Sequence, residues 1–330
     1  MSTINHNADF LFLYEAIQCN PNGDPDQENK PRMDYDNDVN LVTDVRLKRS
    51  IRDYLKATGV EVFVDMESEA KVSPEQKLEA VIKRLLTEET ALSEIFAENP
   101  DMAESFNKIV AKEKEPDKIF KKLQAKENRP LSIYLLAQMV KQKFIDIRLF
   151  GSAFAVEGFN KAYTGAVQIN WGFSLHKVQL MDSNSIVTIM NEENSTFGKD
   201  YRVHYSLLAF NGTINKFAAQ TTGLTEKDLE VFREAIWNSI SSLPTRSKMN
   251  QYPKLYVELT YNDGFFNGYF GDLRNYVKVS PANGLDEKQI RSFRDLHLDL
   301  TPLKNLLNEN KGVGKPVKDF RVRTFHDVVW

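Results

Sequence analysis

Residues 8–18, ADFLFLYEAIQ, form an apolar and aromatic run with the character of a β-strand. The run leads into Asn20-Pro-Asn-Gly-Asp24-Pro-Asp26. There Pro21 and Pro25 fix φ, Gly23 can take positive φ, and Asn20, Asn22, Asp24 and Asp26 can bond neighbouring amides. A stiff turn at a strand end is predicted, where sheets present loops to ligands. After Pro31-Arg32-Met-Asp34 the pattern turns helical, because Thr43 or Asp44 can act as N-cap and no proline occurs through Lys56. At about 100° per residue, Leu47, Ile51, Tyr54 and Leu55 share one arc, and Lys48, Arg49, Arg52 and Lys56 fill the adjoining one.

Residues 73–143 are rich in Lys, Glu, Leu and Ala, with apolar stripes at helical spacing such as Leu78, Val81, Ile82 and Leu85, and with Pro100, Pro116 and Pro130 at breaks. The flanking stretches 60–64 (VEVFV) and 145–150 (IDIRLF) read as strands, so a helical module interrupting an αβ core is expected. After Gly151 the pattern becomes extended over 162–175 and 201–214, and TFGKDYRVHYSLLAF suits a protruding ribbon. Residues 225–243 predict an amphipathic helix with Leu229, Phe232, Ile236 and Ile240 on one face, followed by a strand over 254–261. Strand, helix, strand, then strand, helix, strand is the order of a ferredoxin-like or RRM-like sheet with insertions.

With 330 residues, 42% hydrophobic and 27% charged, the chain can bury a sizeable core. No apolar stretch reaches the span of a bilayer and MSTINHNADF lacks the regions of a signal peptide, so a cytoplasmic protein without membrane partners is expected. A single cysteine, Cys19, excludes an internal disulfide framework and a multi-cysteine metal site. A net charge of -3 argues against a generic nucleic-acid binder, so binding would need local patches. The acid-rich stretches 87–94 and 191–194 offset the basic helix.

Two readings fit the basic arc of the 44–56 helix: a solvated amphipathic surface, or a row of cations for a nucleic-acid backbone, favoured by the stiff turn and Arg32 beside it. A rival class, metal-dependent phosphodiester cleavage, draws on Asp24, Asp26, Asp34, Asp36 and Asp38. These residues miss the calcium-loop template, with Val39 where Gly is needed and Val45 where Glu is needed. The five histidines are scattered without metal-ligand spacing, Cys19 has no nearby His, and the glycines of 264–271 (GFFNGYFG) form no phosphate loop but look like turns. Neither a cofactor nor a metal is expected.

NPNGDPD, PRMD and TDVRLKRSIRDYL, in this order, resemble the signature of the backbone subunit of type I CRISPR Cascade complexes, the Cas-seven family of the RAMP superfamily. The subtype I-B (Csh) branch is the most similar and the I-C (Csd) branch lies close by. Further matches are Asp146-Ile-Arg148-Leu-Phe150-Gly151, Tyr163-Thr-Gly165-Ala-Val-Gln168 with Trp171-Gly172, and Thr245-Arg246-Ser-Lys248. The resemblance runs from about residue 8 to about residue 260. It implies an α+β fold, an RRM-like (ferredoxin-like) palm with inserted helical fingers and a protruding β-hairpin thumb. The implied boundaries are palm 1–58, fingers 59–144, palm 145–175, thumb 176–202 and palm 203–330.

The function so implied is a non-catalytic CRISPR RNA-binding scaffold that stacks as a helical filament along the guide and leaves pairing with target DNA to the RNA. Implied partners are further copies of the chain, the large subunit, the guide 5′-end-capping subunit and the guide-processing endonuclease. Carried onto this sequence, Arg46, Lys48, Arg49 and Arg52 fall on guide phosphates, with Asn20 and Asn22 shaping the adjacent loop and Arg32 beside them. Arg246, Ser247 and Lys248 form either a second phosphate contact or an ordinary solvated loop. In the thumb region Phe197, Lys199, Tyr201 and Arg202 either wedge and stack on bases or, for the aromatics, pack in a strand core. Trp171 is expected in the core or beneath the RNA path, and Arg148 either follows the family motif or pairs with a buried acid. The alternative is a metal-dependent ribonuclease like type III backbone subunits, which use a thumb-loop Asp; Asp182 and Asp200 occupy the corresponding region.

Overall fold

The computed structural model describes residues 2–64, 74–86, 89–97, 99–154, 161–182, 185–189 and 195–330. The expected acidic positions 87–88 and 191–194, and parts of the expected fingers and thumb, lie outside the described residues. The chain mixes helices and strands and divides into two compact units.

One unit comprises Asn5–Tyr54, Val167–Lys216 and Glu230–Trp330. Its centre is an antiparallel sheet of eight strands: β1 (Ala8–Ile17), β2 (Met33–Asp34), β3 (Val39–Val42), β4 (Val167–Ile169), β5 (Gly172–Ser174), β6 (Tyr205–Ile214), β7 (Gln251–Tyr261) and β8 (Val317–Thr324). The order is β8-β7-β1-β6-β5-β3-β2, with β4 also paired to β6. β1 lies between β6 and β7 along its length, from Ala8 opposite Ile214 to Ile17 opposite Tyr205. Its residues alternate between two covered faces, which is why it reads as a continuous apolar run rather than an alternating one. Leu11 and Leu13 join Val257, Leu259, Leu303 and Leu307 in one buried cluster. Phe10 meets Phe232 edge-on at 5.6 Å, and Tyr14 stacks on Phe210 at 5.8 Å. Pro253, which cannot donate to a ladder, sits opposite Tyr14 where the register shifts.

The second unit comprises Met1–Ile4, Leu55–Ala166 and Phe217–Leu229. Five helices, Pro74–Leu85, Glu89–Phe96, Pro100–Val110, Pro116–Gln124 and Arg129–Gln142, surround a core that includes Phe96, Phe106, Phe120, Leu136 and Phe144. Three of them begin with the prolines of the sequence breaks or hold one in the first turn, where the missing N–H costs nothing.

Two expected strands are absent from these positions. Residues 60–64 pair with no strand; instead the N–H groups of Phe63 and Val64 donate to the Asp146 carboxylate at 2.8 and 3.0 Å. Residues 145–150 form a short helix, Ile145–Phe150, with all six side chains buried. Period-two alternation carries no weight where every side of a segment is covered. Gly151, at φ 76°, ends that helix by donating to Ile147 O. The expected extended run over 201–214 begins as a strand only at Tyr205. Of the stretch 196–210 expected as a ribbon, only Thr196–Lys199 lies in one, where Ser195–Lys199 pairs with Ser185–Ile189; from Tyr205 on the chain belongs to the central sheet.

The helices predicted at 44–56 and 225–243 are α1 (Asp44–Ala57) and α2 (Glu226–Ser242).

Candidate nucleic-acid interface

The turn after β1 is tied to the start of α1 by one side chain. Asn22 Oδ1 accepts from the backbone N–H and from the hydroxyl of Thr43, each at 2.9 Å. Thr43 Oγ1 accepts from the Arg46 N–H at 3.2 Å, so Thr43 rather than Asp44 caps the helix. Buried Asn20 donates through Nδ2 to Asn29 O at 2.8 Å. Arg32 closes the turn, with its N–H on Asn22 O at 2.9 Å and its guanidinium 3.4 Å from Asp24. Asn20 and Asn22 thus hold the loop by side-chain hydrogen bonds.

Two further segments dock on this turn. The Asn20 N–H donates to Ser247 O at 2.9 Å, and Lys248 Nζ donates to Asn20 O. The Val203 N–H donates to Cys19 O at 2.9 Å, and Arg202 Nη1 to Gln18 O at 2.9 Å. Asp200 Oδ2 accepts from Arg202 at 2.7 Å and from Arg246 at 3.0 Å. Lys199 pairs at 2.9 Å with Glu28, which also accepts from the Tyr201 hydroxyl at 2.7 Å, while Lys30 Nζ lies 5.0 Å over the Tyr201 ring. Tyr201 is thus a loop residue tied to the turn, not a strand-core residue.

Electrostatics marks Arg46 and Lys248. Burial, and then the Arg46 charge, push the Lys248 ammonium down to about 8, against the opposing Cys19. Arg46 is itself lowered, first by burial; Tyr14 and Asp53 oppose the shift and Arg49 adds to it. Its guanidinium makes no hydrogen bond among the described residues. Lys48 and Arg49 instead pair within α1, with Asp44 at 2.9 Å and Asp53 at 2.6 Å. Such i,i+4 pairs, here half-buried, are worth roughly 0.2–0.5 kcal/mol. Arg52 is half-buried on the same helix.

Two candidates do not join this cluster. Arg148 lies in the helical unit, buried, with Nε and Nη2 on the Asp228 carboxylate at 3.0 and 2.6 Å and Nη1 on Lys141 O at 3.1 Å. Of its two expected roles it fills the buried ion pair, and a guanidinium so enclosed cannot reach a phosphate. Phe197 falls on the ribbon strand opposite Val187, and its side chain lies outside the described residues. Of the two placements expected for Trp171, the core is ruled out, since it is 49% exposed.

The acidic cluster serves the turns. Asp24 accepts from the Asp26 N–H at 3.2 Å, Asp34 from the Asp36 N–H at 3.1 Å, and Asp38 pairs with Lys288 at 2.7 Å. Among the described residues no three His, Cys, Asp or Glu side chains gather as metal ligands. Cys19 is buried, and burial raises its thiol to about 12 despite Lys248 and Arg202. No helix among the described residues is long and apolar enough to cross a membrane. What sequence reasoning missed is the cross-bracing: Glu28 as an anchor, and the second roles of Thr43 as a donor to Asn22 and of Asp200 as the acceptor of two guanidiniums.

A curated relative from Haloferax volcanii, "CRISPR-associated protein Cas7", is 28% identical over 330 residues, 93% of this chain and 84% of that protein. Two solved chains overlap more loosely. One from a "CRISPR RNA-guided surveillance complex, pre-nicking" covers 78% of this chain and 79% of its own length, with 15% identity and a TM-score of 0.44. Another from a "CRISPR RNA-guided surveillance complex" covers 98% and 90%, with 13% identity and a TM-score of 0.48. The family model for CRISPR-associated protein Cas7 matches residues 6–301, so this chain, with its braced turn and its cations, belongs to the Cas7 family.

Proposed function

We propose that this protein is the CRISPR RNA-binding backbone subunit of a type I Cascade complex, of the I-B branch, and performs no chemistry of its own. The observation that carries this is the convergence of Arg46, Lys248, Arg202 and Arg246, from three separate segments, on one braced turn in a chain of net charge -3. Cations concentrated locally on an acidic protein suit a polyanion that must be gripped along one track. Arg46 supplies a forked donor set with no hydrogen-bond partner among the described residues, and Lys248 a point charge whose depressed proton affinity a phosphate would restore. Lys48, Arg49 and Arg52 flank them on α1.

In this reading the sheet unit is an RRM-like palm, the helices of 59–144 are fingers and the ribbon near 176–202 is the thumb. Copies stack head to tail along the guide, an arrangement that does not close into a simple dimer. Target DNA is read by the guide, and the large subunit, the 5′-end-capping subunit and the processing endonuclease complete a cytoplasmic assembly.

The test is copurification of nucleic acid with tagged protein expressed beside a CRISPR array. Spacer-length guide RNA in large assemblies, lost on joint replacement of Arg46, Lys48, Arg49 and Arg52 by Ala, is the expected result. Nucleic-acid-free monomer would overturn the proposal. Metal-dependent RNA fragments would replace it with the ribonuclease function.

A further inference from the structure

Asp200 stands between two guanidiniums that do different work. Its Oδ2 accepts from Arg202 Nε at 3.0 Å, from Arg202 Nη2 at 2.7 Å and from Arg246 Nη2 at 3.0 Å. The remaining reach of Arg202 goes to Gln18 O at 2.9 Å and Arg246 O at 3.4 Å. Arg202 is therefore largely saturated and braces three segments of backbone. Arg246 differs: Asp200 is the only side-chain partner it has among the described residues, and its side chain is 63% exposed against 13% for Asp200. Of the five N–H donors of a guanidinium, one is spent on the anchor, and the other four make no side-chain hydrogen bond among the described residues.

We infer that Asp200 is a positioning residue, which aims the Arg246 guanidinium at a phosphate of the bound RNA while Arg202 serves as its strut. The inference rests on the RNA-binding function proposed above. It also gives the acid at the thumb base a role other than catalysis, since the oxygen facing the guanidiniums is occupied. An arginine held at one oxygen by a half-buried acid loses less rotational freedom on meeting phosphate than a free one.

The two accounts of this acid differ in sign. If Asp200 were merely a negative charge near a polyanion, its removal would tighten RNA binding. If it positions Arg246, its removal weakens binding although the site becomes more positive.

The experiment is fluorescence anisotropy of the full chain with a labelled guide-length single-stranded RNA, across a salt series. Asp200→Ala is expected to weaken binding about tenfold and to reduce the salt slope by about 0.7, the loss of one phosphate contact on a single strand. In an Arg246→Ala background the same change is expected to have less than about a twofold effect, because the two act as one unit. Asp200→Asn, which keeps an acceptor oxygen and the shape, is expected to fall between, and decides the matter if the alanine variant does not fold by circular dichroism. Unchanged or tighter binding by a folded variant, or losses that simply add to those of Arg246→Ala, would overturn the inference. Wild-type protein that binds no RNA would instead overturn the proposed function itself. Magnesium-dependent cleavage abolished in Asp200→Asn would overturn the positioning role in favour of a catalytic one.

Discussion

Arg148→Met should destabilise rather than disarm the protein. The guanidinium forks onto Asp228 at 2.6 and 3.0 Å and caps the carbonyl of Lys141 at 3.1 Å, and both side chains are about nine-tenths covered. Asp228 also exchanges bonds with the N-cap of α2: its Oδ2 accepts from the Thr225 N–H at 2.9 Å and hydroxyl at 2.8 Å, and its own N–H donates to Thr225 Oγ1 at 3.3 Å. Burial alone would raise the Asp228 carboxyl, yet it lies below the usual range, because the Arg148 bond and charge and the Thr225 bonds outweigh burial. Removing one partner of such a pair leaves a charge buried and unpaired, at a cost of about 3–5 kcal/mol. At about 2–4 °C per kcal/mol this lowers Tm by roughly 6–20 °C. Thermal melts with circular dichroism would measure the loss, and RNA anisotropy well below the transition should match wild type. The sign with pH follows from the depressed carboxyl: its stabilisation is present above the unfolded value near 3.9 and is lost as pH falls through the lower folded value. The gap between wild type and variant should narrow below about pH 4. A variant with unchanged Tm but several-fold weaker RNA binding would refute this account and return Arg148 to the guide.

Lys248 gives a second pH test of opposite sense. RNA affinity should fall as pH rises through about 8, where the free ammonium loses its proton, and Lys248→Met should flatten that fall in the anisotropy titration. Stability should move the other way, rising from pH 8 towards the unfolded lysine value near 10.4, because folding holds fewer protons there. Gly165→Ala should cost at least about 3 kcal/mol in urea unfolding, since a Cβ there would overlap the backbone of Leu149, Phe150 and Gly151, which cannot swing aside as a side chain would.

The limits of sequence legibility follow from which interactions are local. β1, α1 and α2 were readable because burial, capping and helical spacing act within a few residues; Thr43 caps α1 from the position its hydroxyl predicts. VEVFV and IDIRLF misled for the converse reason: the carboxylate that takes the N–H groups of Phe63 and Val64 is 82 or more positions away at Asp146, and no window over 60–64 contains it. The exposure of Trp171, which lies in the link between β4 and β5, was not legible because what covers a residue of a link is set by tertiary neighbours.

The candidate site divides in the same way. The residue types were legible, but the family resemblance gave Arg46, Lys48, Arg49 and Arg52 equal standing, and the charge pattern along α1 did not single out Arg46. Folding breaks that equality: Lys48 and Arg49 find acids one turn away, whereas Arg46 bonds to no acid among the described residues and lies close enough to Lys248, 202 positions later, to depress its proton affinity. Two like charges partly withdrawn from water beside one another are costly without an anion, and removing either should ease the other. Arg46→Ala should therefore move the pH midpoint of RNA binding upward from about 8, towards that of an ordinary lysine, as well as weakening binding. A midpoint unmoved by that change would mean that Lys248 is perturbed by burial alone, and that the two cations do not share a phosphate.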